Sequence, residues 1–400
     1  MKTIFLTISF ILLYPLAQLS AQPISCSLTQ TIDTVTNGDS NIKKVFDCWA
    51  GYLASSPDSL YDNPYWNSAD KIRYTSYDLL KSEGFLSPGL YAFGYLKNQV
   101  LSITNIGDAY IIRSMFYYIY PENGNLFVMA ITNTIAKQDA DGNFTLHNWL
   151  HHYTRAWNTR KVGVITYYYY PDYPFNIFEA EKANKMIDYL QKIFDIKLER
   201  EIAYYIASDC DGIMKLKGFE YVVGMGNHIA NLCGFHDVYN NIIYSNSKKG
   251  EYYEHEITRL INNFFPRAHS HYINGLTKYF TEDGIALGQS FKTHFQRMDD
   301  YLDAHKEIDL SNYSGSFYAQ PMDNITPPHY FIGLLICQLT LEKGGLPLLK
   351  QAMNSTSTDE DMLRFIEEEL RIKRKDLNKM LRQLIHRYAQ EDFKKMITIE

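Results

Sequence analysis

Residues Asn240–Phe280 read NNIIYSNSKKGEYYEHEITRLINNFFPRAHSHYINGLTKYF, and the order of patterns here decides the fold of the second half. A short apolar run, Ile242, Ile243 and Tyr244, has strand character. A polar turn ends at Gly250. Two helical segments follow, broken near Pro266, because proline cannot donate the backbone hydrogen bond of a helix interior. His255 and Glu256 lie on the first segment. Arg259 stands one helical turn beyond His255, so the two side chains share a face. The second segment carries His271, Asn274 and Gly275, with His269 at the break.

Outward from this stretch, the elements alternate. Lys161–Tyr170 reads as a strand and Pro171–Pro174 as a turn. A long amphipathic helix follows, with Ile177, Ala180, Ala183, Ile187, Leu190 and Phe194 along one face and Asn176 and Glu179 as a capping pair. Glu201–Ala207 is a second strand. The region Ser208–Asp237 is irregular and carries His228, Cys233, His236 and Asp237. Beyond Phe280, Gly288–His305 is helical and Asp309–Pro328 is loop-like. The apolar run Tyr330–Leu341 is too short to cross a bilayer and reads as a buried helix stopped at Gly344-Gly345. Thr358 and Asp361 open a capping box. Met362, Phe365, Ile366 and Leu370, continued by Leu377, Met380, Leu381, Leu384 and Ile385, mark the buried stripe of the helices that follow.

The first half has another period. Ser40 is placed to cap a helix bearing Ile42, Val45, Phe46, Trp49 and Leu53 on one side. Ser55–Asn67, with Pro57 and Pro64, is a link. Val100–Ile103, Ala109–Tyr120, Leu126–Ala136 and Phe144–Leu150 are rich in β-branched and aromatic residues. Asn123-Gly124 and Asp141-Gly142 mark hairpins between them. Asp139–Asn143 also opens like a calcium loop, but the distal glutamate is missing and the hairpin reading prevails. One helix and an antiparallel sheet predict a small α+β domain, with an NTF2-like cone as the candidate. The predicted organisation is a signal peptide over residues 1–21, an N-terminal α+β domain over 22–155, a second α+β domain over 156–305 and a helical C-terminal subdomain over 306–400.

Composition narrows the function. A net charge of −6 with interspersed signs argues against nucleic acid as a partner. The chain is tyrosine-rich: its 33 tyrosines fall mostly in strand-like runs and read as half-buried sheet residues, a carbohydrate- or peptide-binding surface being the sharper alternative. Lys2, the apolar run Ile4–Leu16 and Ala21 have the form of a secretory signal peptide. An exported protein is expected (periplasmic, cell-surface or secreted), without a transmembrane segment after cleavage; a retained anchor or a lipidated Cys26 is the alternative. Of five cysteines, Cys26–Cys48 and Cys210–Cys233 are candidate disulfides and Cys337 is a buried thiol. No CxxC pair, G-x-S-x-G elbow or phosphate-binding glycine loop occurs.

His255-Glu256-Ile257-Thr258-Arg259 matches the frame of H-E-x-x-H, in which two histidines one turn apart hold zinc and the glutamate activates a metal-bound water. Together with the strand Asn241–Ser245, the helix Ile273–Phe280 and the helical tail broken at Lys343-Gly344-Gly345, this frame resembles the gluzincin-like, peptidase-MA type of secreted protein. The resemblance covers roughly Val162–Tyr388. It implies that His255 stands at the first zinc-ligand position, Glu256 at the general base, Arg259 at the second ligand position and Asn274 at the third. Arg259 has no lone pair to offer a metal. His271 and His269 are the substitute ligands within reach of sequence argument, with His228 and His236 beyond them. Without metal, Arg259 is expected to pair with Glu256. The resemblance thus implies an exported, catalytically inactive peptidase homologue with no resident cofactor. It would bind a peptide, glycan or protein partner in the former groove beside Ile242, Ile243 and Tyr244. The alternatives are an active zinc metallopeptidase with non-standard ligands, and a structural or interaction protein in which the helix pair is only core.

Overall fold

Alternating β-branched and aromatic residues build one sheet, and continuous apolar runs build another. The structure, a computed structural model, describes residues 25–28, 39–55, 63–73, 96–226, 233–238, 240–281, 285–286, 288–313, 315–319, 322–323 and 325–397. The expected signal peptide, His228 and most of the proline-containing link lie outside the described residues. The chain divides into two compact units: Met1–Trp149 with Gly218–Val223, and Leu150–Lys217 with Gly224–Glu400. This division puts Leu150 and the helices beyond 306 in the second unit.

In chain order the first unit contains β1 (Ser25–Leu28), α1 (Ser40–Leu53), α2 (Ser68–Arg73), β2 (Lys97–Asn105), β3 (Tyr110–Ile119), β4 (Leu126–Gln138) and β5 (Phe144–His147). β1 pairs parallel with β2; β2 through β5 form an antiparallel meander. Asp39, not Ser40, caps α1 by accepting from the Asn41 amide. Val45, Trp49, Tyr52 and Leu53 are buried, and the Trp49 indole donates to Asn98 at 3.0 Å. The Asp139–Asn143 turn is a hairpin: the Asp139 carboxylate accepts from the amides of Asp141 and Asn143, at 3.0 and 2.9 Å.

The second unit opens with α3 (Trp149–Tyr153, whose first residue belongs to the first unit), β6 (Asn158–Val162), β7 (Ile165–Tyr169), α4 (Ile177–Phe194), β8 (Ile202–Ala207) and α5 (Cys210–Leu216). The chain then adds β9 (Phe219–Val222) to the first unit, where it pairs antiparallel with β4. It returns as β10 (Phe235–Asp237), β11 (Ile242–Asn246), α6 (Glu254–Thr258), a 3₁₀ helix (Arg259–Phe264) and α7 (Ser270–Tyr279). A two-residue hairpin precedes α8 (Phe291–Ala304), α9 (Ser316–Ala319), α10 (Pro328–Ser355), α11 (Asp359–Glu368) and α12 (Arg374–Gln390).

The second sheet has the order β10-β11-β8-β7-β6, with the three central strands parallel and an antiparallel strand at each edge. One face buries Ile165, Tyr167, Tyr204, Ile206 and Ile243 against α4 and the helices that follow. On the other, Tyr168, Tyr205, Tyr244 and Phe235 stand opposite one another across four strands, with neighbouring rings 4.6–6.2 Å apart. Tyrosine-rich runs are thus cross-strand packing pairs. Asn176 caps α4 by accepting from the Phe178 amide, but its own N–H donates to the buried Glu251 at 2.6 Å, not to Glu179.

Two glycines set the helix layer. A Cβ on Gly275 of α7 would lie 2.7 Å from the amide nitrogen of Leu334, and one on Gly333 of α10 would meet the His271 carbonyl. The helices therefore cross backbone to backbone. α10 itself breaks at Gly344 and Gly345, the latter at φ 62°, where the sequence places its stop. By length and composition α10 could cross a membrane; here Phe331, Ile332, Leu334, Leu335 and Ile336 are buried in the unit's core. The capping box of Thr358 and Asp361 is present at the start of α11.

A methyl group forced into the crossing leaves it no room. Gly333→Ala is expected to lower unfolding stability by about 1–3 kcal/mol, read by urea denaturation. A variant with an unchanged midpoint would show that the helices do not pack this closely.

Candidate functional site

The Asn240–Phe280 stretch folds as the sequence anticipates, as a strand, a turn and two helices, but the first helix is short. α-Helical hydrogen bonding ends at Thr258 and continues as a 3₁₀ helix from Arg259. His255 and Arg259 straddle that junction. Glu256 is 2% exposed, and its Oε1 lies 3.8 Å from His255 Nε2 while its Oε2 lies 3.8 Å from Arg259 Nη1. The expected Arg259–Glu256 pair is therefore an ion pair looser than a hydrogen bond.

Lys278 is the residue that sequence reasoning passed over. It lies one turn beyond Asn274 on the same face of α7, is 7% exposed, and brings Nζ within 3.3 Å of His255 Nδ1. The ammonium sits 4.6 Å from the Tyr330 ring centroid, and the same tyrosine packs 5.6 Å from the His255 ring. A lysine on the buried face of a helix otherwise lined by Tyr272, Leu276 and Tyr279 is the signal that could have found it. Asn274 is only half-buried, and its carbonyl accepts from the Thr277 hydroxyl.

Burial governs the site's electrostatics. It pulls Lys278 from an ordinary 10.5 down to about 8, a shift that Glu256 opposes and Lys249 and Arg259 reinforce. Burial pushes the Glu256 carboxyl upward, held back by Arg259, then Lys278, then Lys217. His255 is driven well below the usual imidazole range by burial and by the surrounding Lys278, Arg259 and Lys249. His236 on β10 falls to about 3, through burial and then Arg259. Neither His236 ring nitrogen has a well-formed hydrogen bond; the Glu256 Oε2 and Arg259 Nε atoms are also buried without one.

Neighbouring elements hold this cluster. The Cys210–Cys233 disulfide, one of the two expected, joins the start of α5 to the residue before Gly234. Asn246 at the end of β11 donates to the Cys233 carbonyl at 3.1 Å. Gly234 then lies against Tyr253 and Glu256, where a Cβ would clash with the tyrosine ring. Lys217 is 3% exposed, and its Nζ lies 3.1 Å from the Phe235 ring centroid and 5.2 Å from that of Tyr244. The Cys26–Cys48 bridge is absent: Cys26 Sγ donates to Asn98 and Cys48 Sγ to the Phe144 carbonyl, so each thiol is committed to a different strand.

His269 and His271 do not converge on His255. His269 accepts the His271 amide at Nδ1 (3.2 Å), which places its proton on Nε2 for Asp359 at 2.9 Å. His271 stacks on His269 and packs against Tyr313 and Tyr318 at 4.6 and 4.9 Å. These rings form a separate cluster beside α11. Among the described residues no group of three His, Cys, Asp or Glu side chains could hold a metal ion. His255, flanked by Lys278 and Arg259, does not fit zinc coordination. The predicted groove strand also needs correction. β11 is paired on both sides, and Ile242, Ile243 and Tyr244 are buried; among the described strands the edges of this sheet are β10 and β6. No protein-family profile matches the chain, and no curated protein is similar to it.

The buried histidines make the fold acid-sensitive. His236 titrates near 3 in the folded protein against an ordinary 6.5, so between these values the unfolded chain binds more protons. Stability is expected to fall as pH drops from about 6.5 toward 3. His236→Asn should flatten that decline in denaturant titrations; an unchanged slope would refute it. Lys278 acts in the alkaline window with the same sign: its folded value near 8 lies below 10.5, so stability rises as pH climbs from 8 toward 10.5.

Proposed function

We propose that this protein is an exported, catalytically inactive relative of gluzincin-like peptidases, and that it binds a peptide beside the former active-site helix. The observation that carries this reading is the placement of Lys278 Nζ at 3.3 Å from His255 Nδ1, with Arg259 beside Glu256. In this reading the two protein cations take over the roles of a divalent ion and its second ligand. A fixed ammonium and guanidinium can preserve the local charge pattern around Glu256 without supplying an open coordination position. His255 and Glu256 then keep the shape of the cluster, and no hydrolytic step is assigned to them.

Several features support the reading. The lead-in β7–α4–β8, followed by β11, α6 and α7, runs in the order on which the resemblance rests. The Cys210–Cys233 disulfide suits an oxidising compartment. The first unit, with a helix laid on an antiparallel sheet, is read as NTF2-like.

Purified protein is expected to carry no stoichiometric zinc by elemental analysis and to cleave no peptide; zinc lost on His255→Ala would favour the active metallopeptidase instead. The triple change Arg259→His, Asn274→Glu and Lys278→Ala should create a site that takes up about one zinc. Failure of that folded variant to bind zinc would count against the gluzincin-like ancestry.

A further inference from the structure

A cleft of about 760 Å³ opens between α8 and α12 and shares no lining residue with the α6–α7 cluster. Ligand clefts commonly measure roughly 300–1,000 Å³, but most are lined by apolar side chains. This one is not. Of the ten residues that line it, only Leu302 is apolar and none is aromatic. α12 contributes Lys375, Asn378, Lys379, Arg382, Gln383 and His386, which recur at helical spacing along one face. α8 and the turn after it contribute Asp299, Asp303 and Lys306. Four cations thus face two carboxylates, an excess of two positive charges in a chain whose net charge is −6.

Some of these groups are committed to the fold. Arg382 donates to the carbonyls of Leu302 at 2.9 Å, Ile308 at 2.7 Å and His305 at 3.2 Å, so it closes the end of α8 and holds its charge in place. The Asn378 side chain accepts the Leu310 amide at 3.0 Å. Both carboxylates are paired, Asp303 with Lys306 at 2.5 Å and Asp299 with the His386 imidazole at 2.8 Å. Lys375 and Lys379 differ from these. Both are exposed, and among the described residues neither ammonium has a hydrogen bond or an ion pair. They stand one helical turn apart, about 6 Å along the axis at a rise of about 1.5 Å per residue.

We infer that this cleft docks an acidic peptide segment in extended form, with two of its carboxylates paired to Lys375 and Lys379. In an extended chain, side chains on one face recur at every second residue, about 6.6 Å apart, which matches the spacing of the two lysines. The segment therefore carries acids at alternate positions. Because Asp299 and Asp303 already have partners, the field of the cleft stays positive and draws such a segment in. A lining without aromatic faces gives a base or a sugar ring nothing to stack on, which favours a peptide over other polyanions. The inference is independent of the reading above, which concerns α6 and α7.

The test uses the full chain at about 50 mM salt, where surface charges are weakly screened. Two N-acetylated, C-amidated heptapeptides are titrated calorimetrically, one alternating glycine and glutamate, the other with glutamine in place of glutamate. The acidic peptide is expected to bind and the glutamine peptide not to bind. Lys375→Gln combined with Lys379→Gln should weaken the acidic peptide about tenfold. Lys185→Gln combined with Lys343→Gln removes the same charge from exposed positions outside the cleft, and should leave binding within about twofold of the parent. No binding of the acidic peptide, equal binding of both peptides, or equal losses in the two double variants would overturn the inference. A sulfated tetrasaccharide or inorganic phosphate that binds more tightly than the acidic peptide, and is lost in the Lys375 and Lys379 variant, would also overturn it and reassign the cleft to that anion.

Discussion

An ammonium group that cannot reach water governs the second unit. Burying an unpaired lysine costs several kcal/mol, so Lys278 is tolerable only with favourable surroundings. These are the face of Tyr330, the Nδ1 of His255 and the field of Glu256. They come from different elements: α10 supplies the tyrosine, α6 the histidine and glutamate. Their meeting depends on the close crossing of α7 and α10, where Gly275 and Gly333 remove the side chains that would hold the two backbones apart. The crossing and the charge cluster are therefore one constraint seen at two levels.

The sheet edge is tied to the same place. The Cys210–Cys233 bridge and the Asn246–Cys233 hydrogen bond draw the start of β10 against α6, and Gly234 admits the Tyr253 ring there. His236 then faces Arg259, whose positive charge adds to burial in keeping the imidazole neutral. The aromatic rank Tyr168–Tyr205–Tyr244–Phe235 carries the other face and presents its last two rings to Lys217. Aromatic faces can accept a desolvated ammonium because their quadrupole is negative above the ring. Tyrosine enrichment in this unit is in part a means of burying lysines.

His269 and His271 illustrate how little a histidine's position in sequence says about its partner. Both lie near Pro266 and close to the His255 helix in the chain. His269 turns to Asp359 and His271 to Tyr313 and Tyr318, because the side chain of His269 caps α7 and commits the pair to that side. Helix capping is a local preference, yet the residues it selects as neighbours here lie up to 90 positions away.

By itself, the sequence determined the type and order of most elements: the hairpins at Asn123-Gly124 and Asp141-Gly142, the helix stop at Gly344-Gly345, the capping box at Thr358 and the pair of helices around Pro266. These follow from backbone geometry and hydrophobic period, which act over a few residues. His255, Glu256 and Arg259 were legible as a pattern because they fall within one turn of chain, and Asn274 because it falls on the next helix. Tertiary structure alone decided that Lys278 rather than His271 meets His255, that β10 rather than β11 is an edge, and that Cys26 and Cys48 stay apart. The physical reason is range. A lysine's burial, a strand's place in its sheet and a thiol's distance from its partner are set by contacts between segments distant in sequence, and no local period records them.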